Sequence, residues 1–186
     1  MEFRRRLLVL SGAAVALLAW GGATPAAARL VQTRDDALRL VFGAGAQFTP
    51  RTAWLDGAET DSVAVWAQAR GATAPVTYWV ATRHDSLLGR AYIDTRIVRT
   101  MPATVLVAVG AARHIVAVRV LAFQEPEDYL PPSRWLDRLA GKVLSRRLRP
   151  GDEIDAISGA TLSARAFAAS VRWALALDRF VTGTPS

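Results

Sequence analysis

The chain contains no cysteine. That absence removes disulfides, iron–sulfur ligation, c-type haem attachment, cysteine nucleophiles and a lipid-modified cysteine anchor in one step. Histidine is scarce. His84 and His114 stand far apart at turn or strand-start positions, with no carboxylate at ligand spacing, so no metal site is expected and both read as solvated. Lys142 is the only lysine, against a surplus of arginine that reads as a genome-wide bias rather than a functional one. No Gly-x-Gly-x-x-Gly fingerprint follows a strand, which argues against direct NAD binding. Neither a Ser-His-acid set nor paired carboxylates in a defined setting can be found, so a hydrolase lacks its parts and no catalytic residue is assigned.

What is there suits one domain. The 186 residues are 52% hydrophobic, enough for one sizeable core, with no internal repeat or long low-complexity tract. Residues 1–28 read as an export signal: Arg4-Arg5-Arg6 as the positive start, Leu7–Trp20 as a short apolar run, and Ala26-Ala27-Ala28 as a small-x-small cleavage site. An uncleaved N-terminal membrane anchor is the alternative, and the arginines before Leu7-Leu8 also permit a twin-arginine signal. Either way residues 29–186 form the folded part and are expected outside the cytoplasm, in the periplasm or anchored to the outer face of the cytoplasmic membrane. Of 23 basic and 16 acidic residues, three arginines and Glu2 lie in the first 28, leaving a net +5 beyond them. The remaining arginines are dispersed among acids without interleaved aromatics, so nucleic-acid binding is not expected. An acidic redox partner or an anionic membrane face would suit that surface.

The folded part is expected to open with two helices. Thr33 with Asp36, and Asp56 with Glu59, are capping patterns; Ala37, Leu38, Val41 and Phe42 line the first helix, and Val63, Trp66 and Ala67 or Ala69 the second, which runs to about Arg70. Gly43 and Gly45 stop the first. From Pro75 the period becomes strand-like, giving hairpins of 76–82 with 90–99, turned at His84-Asp85-Ser86, and of 104–109 with 114–123, turned at 110–113. Val105-Leu106-Val107 and Val116-Ala117-Val118 look buried on both faces, so the second hairpin is expected at the centre of the sheet. Pro131-Pro132 forces an extended connector, and Ser133 caps a short helix of 134–139 faced by Trp135, Leu136 and Leu139. Arg146, Arg147 and Arg149 read as a solvated loop, with offsetting of a phosphate charge as the alternative.

The chain is organised around Asp155–Ser163, where a charged loop turns into a long amphipathic helix over 162–180. Arg165, Arg172 and Arg179 recur every seven residues and are expected to mark its solvent stripe, with Phe167, Val171, Ala174 and Leu175 on the side that packs. Ser158, Gly159 and Ala160 are small and precede Thr161. A bend of small residues feeding a helix N-terminus is a ready phosphate site, because first-turn N–H groups lack partners, the helix dipole favours an anion, and the backbone is approachable. Thr161 adds a nucleophile-capable oxygen. The competing reading is an ordinary helix start with Ser158 or Thr161 as N-cap.

Asp155-x-x-Ser158-Gly159-Ala160-Thr161 resembles the flavinylation motif of the FMN-binding domain family. That family includes components of the sodium-translocating NADH:quinone reductase and of Rnf-type membrane complexes, together with many small exported flavoproteins. The resemblance covers residues 89–176. It implies an α+β fold, a mostly antiparallel sheet with helices packed against it. It also implies covalent FMN, joined by a flavin transferase through a phosphoester to Thr161. Asp155 is then the leading acid, Ser158, Gly159 and Ala160 the small run, and Leu162 and Ser163 complete the cofactor-binding stretch. Glu125-Pro126, followed by Tyr129, is similar to a Glu-Pro loop of the small exported members and implies a flavin contact from Glu125. The glycine that follows in the membrane-complex members is absent. Trp135 reads as core, with bordering the isoalloxazine as the alternative. The function implied is an extracytoplasmic electron carrier working with redox partner proteins, membrane-bound ones included. The alternatives are a non-redox exported binding module whose Ser158–Thr161 only caps a helix, and an FMN-dependent reductase with its own substrate.

Overall fold

The computed structural model describes residues 29–68 and 75–182, so the export segment expected over 1–28 lies outside the described residues, as does Ala69, the alternative inward residue. No helix among the described residues is long and apolar enough to cross a membrane. The fold is α+β. Six antiparallel strands run β1 (Arg29–Leu30), β2 (Gln47–Ala53), β3 (Val76–Arg83), β4 (Ser86–Ile97), β5 (Pro102–Gly110) and β6 (Ile115–Phe123), in the spatial order β1-β6-β5-β4-β3-β2. Helices α1 (Arg34–Phe42), α2 (Gly57–Ala67), α3 (Ser133–Asp137) and α4 (Thr161–Val181) cover the sheet.

The local signals for the first two helices hold. The Thr33 hydroxyl accepts from the Asp36 amide at 3.2 Å, and Gly43 closes α1 at φ 89°, a backbone that glycine reaches without a Cβ penalty. Asp56 and Glu59 exchange both bonds of a capping box, at 2.8 and 3.0 Å. Between the helices the sequence hides a strand. β2 is exposed along most of its length and carries Pro50, so neither alternation nor β-propensity reveals it; as the outermost strand it tolerates a residue with no N–H to give. The turn at His84-Asp85 is where it was expected. Both residues have positive φ (48° and 61°), the conformation whose twist suits a two-residue hairpin.

Alternation along β5 sorts the core onto two faces. Val105, Val107 and Val109 point to one side, with Tyr92, Val63, Phe167 and Val171; Leu106 and Ala108 point to the other, with Ala81, Ala91, Leu121 and the α1 residues Leu38 and Phe42. α1 thus covers one face and α2, α3 and α4 the other. The expected centre shifts by one strand. β4 and β5 occupy the middle, whereas β6, beyond β5, has among the described residues only the two-residue β1 on its outer side, and Val116 and Ala117 are half-buried. α3 also begins earlier than expected. Ser133 is its first residue and Pro132 its cap, because proline's fixed φ suits the step into a helix whose first amides need no partner.

α4 departs furthest from its sequence pattern. Only Arg165 and Arg179 of the seven-residue arginine stripe are exposed. Arg172 is buried and donates to the carbonyls of Ala67 at 2.8 Å and Leu148 at 2.7 Å. Ala67 ends α2, so its carbonyl is one of those a helix leaves unpaired, and the guanidinium serves it from the neighbouring helix. Further along, Asp178 is fully buried and accepts from the Tyr92 hydroxyl at 2.7 Å, with Arg90 at 3.5 Å. Burial pushes the carboxyl above its usual range, and burial together with the Asp178 charge raises the Tyr92 phenol well above its own. Tyr92 stacks on Tyr78 and meets Trp173 edge-on, at 5.7 and 6.4 Å between ring centres. Polar pins therefore hold α4 to α2 and to β4, beyond what its apolar face supplies.

Candidate functional site

The approach to α4 is built by anchoring an irregular loop. Leu148 and Ile154 are buried, pegging residues 148–154 into the core, and the Trp135 indole N–H donates to the carbonyl of Asp155 at 2.8 Å. Trp135 is 4% exposed, the core residue its apolar setting implied. The Asp155 carboxylate pairs with Arg138 and faces a hollow bordered by Trp135, Lys142 and Glu153. It is not brought to Thr161. Gly159 has φ 83°, and a Cβ added there would meet no atom within 4 Å, so backbone conformation rather than crowding calls for glycine. Ala160 is buried, while Ser158, Gly159, Thr161 and Leu162 are exposed.

The helix start is not the one expected of a capped helix. Ala160 is the N-cap and offers no side-chain acceptor; Ser158 lies two residues short of it. Thr161 is already inside the helix, and its hydroxyl donates to the Ile157 carbonyl at 3.0 Å instead of accepting an amide. The cap reading of Ser158 and Thr161 is thereby corrected. A hydroxyl that turns back to a carbonyl leaves the first-turn N–H groups without a side-chain partner, so the positive end of a 21-residue helix is open at Thr161.

A cavity of about 310 Å³ lies at this point, lined by Gly159, Ala160, Thr161, Leu162 and Ser163 from the motif and by Arg99 and Tyr129 from elsewhere. Two contacts bring the distant pair in. The Ser163 hydroxyl donates to the Tyr129 carbonyl, tying the loop after β6 to the first turn of α4. The Arg99 guanidinium lies over the Tyr129 ring, 4.4 Å from its centre, an electrostatic attraction that also fixes its direction. The cavity thus combines open helix-end amides, a positioned cation and an exposed hydroxyl, a donor set that suits a phosphate. Arg146, Arg147 and Arg149 do not line it. Arg147 and Arg149 pair with Asp152, and Arg146 lies over Trp66.

Glu125 stands one step back. It is 8% exposed, so it is not a surface acid, and it lines a different hollow with Leu30 and Phe123. Its Oε1 accepts from the amides of Thr100 at 2.7 Å, Met101 at 2.8 Å and Arg99 at 3.1 Å. One carboxylate oxygen therefore holds the turn between β4 and β5, and with it the base of Arg99. Those amides, first those of Thr100 and Met101, hold the carboxyl below the usual glutamate range. Because the folded pKa is depressed, the stabilisation is present above the unfolded value of about 4.3 and is lost as pH falls through the lower folded one. The amide resonances of Thr100 and Met101 should titrate together with a midpoint below that value, and Glu125→Gln should abolish the step. A midpoint at or above it would mean the charged carboxylate is not what holds the turn.

Sequence reasoning located Thr161 and its small neighbours but missed Arg99. Nothing around Arg99 marks it: it reads as the end of a strand, 62 positions from Thr161 in the chain. Tyr129 carried only the hint of following Glu125-Pro126.

Comparison with known proteins agrees with the motif. Residues 100–176 match the FMN-binding domain family, a span that runs from the turn held by Glu125 through the first sixteen residues of α4. No curated protein matches the chain.

Proposed function

We propose, for a chain that carries an FMN-binding domain over residues 100–176, that it is an extracytoplasmic electron-transfer flavoprotein with FMN joined covalently to Thr161. The observation that carries this reading is the exposed Thr161 hydroxyl at the open N-terminus of α4, facing Arg99 across a cavity. Exposure matters because the hydroxyl must reach the active site of a flavin transferase, of which this protein is the substrate. In the phosphoester, Oγ1 would bond to phosphorus as the phosphorus–oxygen bond to the leaving group of the transferase's flavin donor breaks and that group takes the hydroxyl proton, so the bond to the Ile157 carbonyl would be released. The first-turn amides and the Arg99 guanidinium, which line the same cavity, would hold the remaining phosphate charge together. Small side chains at Ser158, Gly159 and Ala160 let the phosphate approach the backbone. Glu125 acts as a positioning residue, holding the turn from which Arg99 reaches in. When bound, the flavin accepts and passes electrons one or two at a time; the protein supplies orientation and electrostatics. Export through residues 1–28 agrees with a covalent link, since a lost cofactor is not readily recaptured outside the cytoplasm. Donor and acceptor would be partner proteins, membrane-bound ones included.

The test is the intact mass of the exported protein made with and without a flavin transferase. A gain of one FMN less one water, seen only with the transferase, is the expected result. An unmodified mass despite an active transferase would overturn it and leave a non-redox binding module.

A further inference from the structure

The loop of residues 145–152 carries Arg146, Arg147 and Arg149, and the last turn of α4 carries Arg179, all of them exposed. Arg147 and Arg149 pair with Asp152 and are neutralised within the loop itself. Arg146 and Arg179 both lie over the Trp66 ring of α2, 5.3 and 5.1 Å from its centre. Neither has a carboxylate partner among the described residues. One indole thus holds two cations within about 10 Å of each other, close to the Debye length of about 8 Å at physiological salt. Their repulsion is only partly screened. The ring attracts each guanidinium through its face, but it leaves the charges uncompensated and gives the N–H donors no acceptor.

This surface is held in place before anything binds to it. Gln68, just past the end of α2, donates its side-chain amide to the Arg146 carbonyl at 2.8 Å. Arg172 ties the same loop to both helices through the carbonyls of Leu148 and Ala67, and Trp66 packs against the core. Long side chains that are already placed lose less freedom on binding, and the guanidinium fork meets a carboxylate with two parallel bonds. We propose that Trp66, Arg146 and Arg179 form a docking surface for an acidic protein segment, two of whose carboxylates pair with the two guanidiniums. Carboxylates one turn apart on a helix come within reach of both. An anionic bilayer is the poorer fit. It attracts through its field, roughly in proportion to the basic residues near it, and with Arg147 and Arg149 neutralised only two charges remain. Arg179 lies eighteen residues along α4 from Thr161, about 27 Å at the rise of an α-helix. A partner seated there leaves the Thr161 end uncovered, and the surface does not depend on the attachment at Thr161.

The experiment titrates the exported protein, with or without FMN, against a rhodamine-labelled deca-glutamate peptide and reads anisotropy. Arg146→Gln and Arg179→Gln should each weaken binding about threefold to fivefold, and the double substitution at least about tenfold. Arg51→Gln removes the same charge from exposed β2 and should change binding by less than about twofold. Equal losses at Arg51 and at the two stacked arginines would reduce the effect to net charge and overturn the surface. Phenylglyoxal labelling of the unsubstituted protein, read by peptide mass, asks the same question without a variant. Saturating peptide should protect Arg146 and Arg179 and leave Arg51 and Arg165 as reactive as before. No protection, or equal protection of all four, would overturn the surface. Phosphatidylglycerol vesicles supply the opposing arm. Vesicles held through Arg146 and Arg179 while the peptide is ignored would make the partner a membrane and overturn the protein assignment.

Discussion

Thr161→Ser should still gain one FMN less one water, whereas Thr161→Ala and Thr161→Val should gain nothing. Serine keeps the hydroxyl that phosphorus must bond, and valine keeps only the shape. The comparison separates chemistry from folding, because the structure gives Thr161 little to do in the apo fold. Its hydroxyl makes one exposed bond, to the Ile157 carbonyl, worth about 1 kcal/mol. All three variants should therefore melt close to the wild-type protein while only one of them is modified. Modification of Thr161→Val would show that the phosphoester forms elsewhere. Ser158 and Ser163 are the nearest alternative hydroxyls, and Ser163 is 1% exposed and occupied with the Tyr129 carbonyl.

The largest loss of stability is expected from Arg172→Met. Two effects oppose each other. Burial, aided by the charges of Arg96 and Arg149, pulls the Arg172 pKa below its usual value, so removing the cation relieves a desolvation cost. Against this, the carbonyls of Ala67 and Leu148 would lose charge-assisted bonds of 2.8 and 2.7 Å, and methionine can replace neither. Bonds to a charged group contribute about 1.5–3 kcal/mol each, so the orphaned carbonyls win and the net loss should be about 3 kcal/mol. For a chain of this size that corresponds to a fall in Tm of roughly 6–12 °C. Arg172→Lys should recover only part of it, since one ammonium lacks the fork that meets both carbonyls. Arg165→Met, seven residues earlier in the same repeat but exposed, should change stability by no more than about 0.5 kcal/mol. Thermal or denaturant unfolding of the three proteins checks this. Equal effects at Arg165 and Arg172 would contradict the buried assignment.

Features carried by neighbouring residues were legible in the sequence. The caps at Thr33 and Asp56, the stop at Gly43, the hairpin turn at His84-Asp85 and the helix that follows Thr161 all depend on groups within a few positions of one another. Their energetics is local, and so is their signature. β2 was not legible: its residues are mostly exposed and interrupted by Pro50, and it exists because β3 offers an edge. The centre of the sheet was misplaced by one strand for a related reason. Val116-Ala117-Val118 carries the composition of a buried run, but burial depends on how much strand lies beyond it, and among the described residues only the two of β1 lie beyond β6.

The same division runs through the site. By itself the sequence determined the Thr161 hydroxyl, the small residues before it and the helix after it, because the start of a helix is made of consecutive residues. Only the tertiary structure decided that Arg99 and Tyr129 complete the cavity, that Glu125 works through the turn behind Arg99, and that Asp155 faces away. It also decided that Arg172, in step with two exposed arginines, is buried. A seven-residue repeat places side chains on one side of a helix, but the repeat cannot say which stretch of that side another helix will cover. α2 packs across α4 at Arg172, where two carbonyls need a donor, and leaves Arg165 and Arg179 to water.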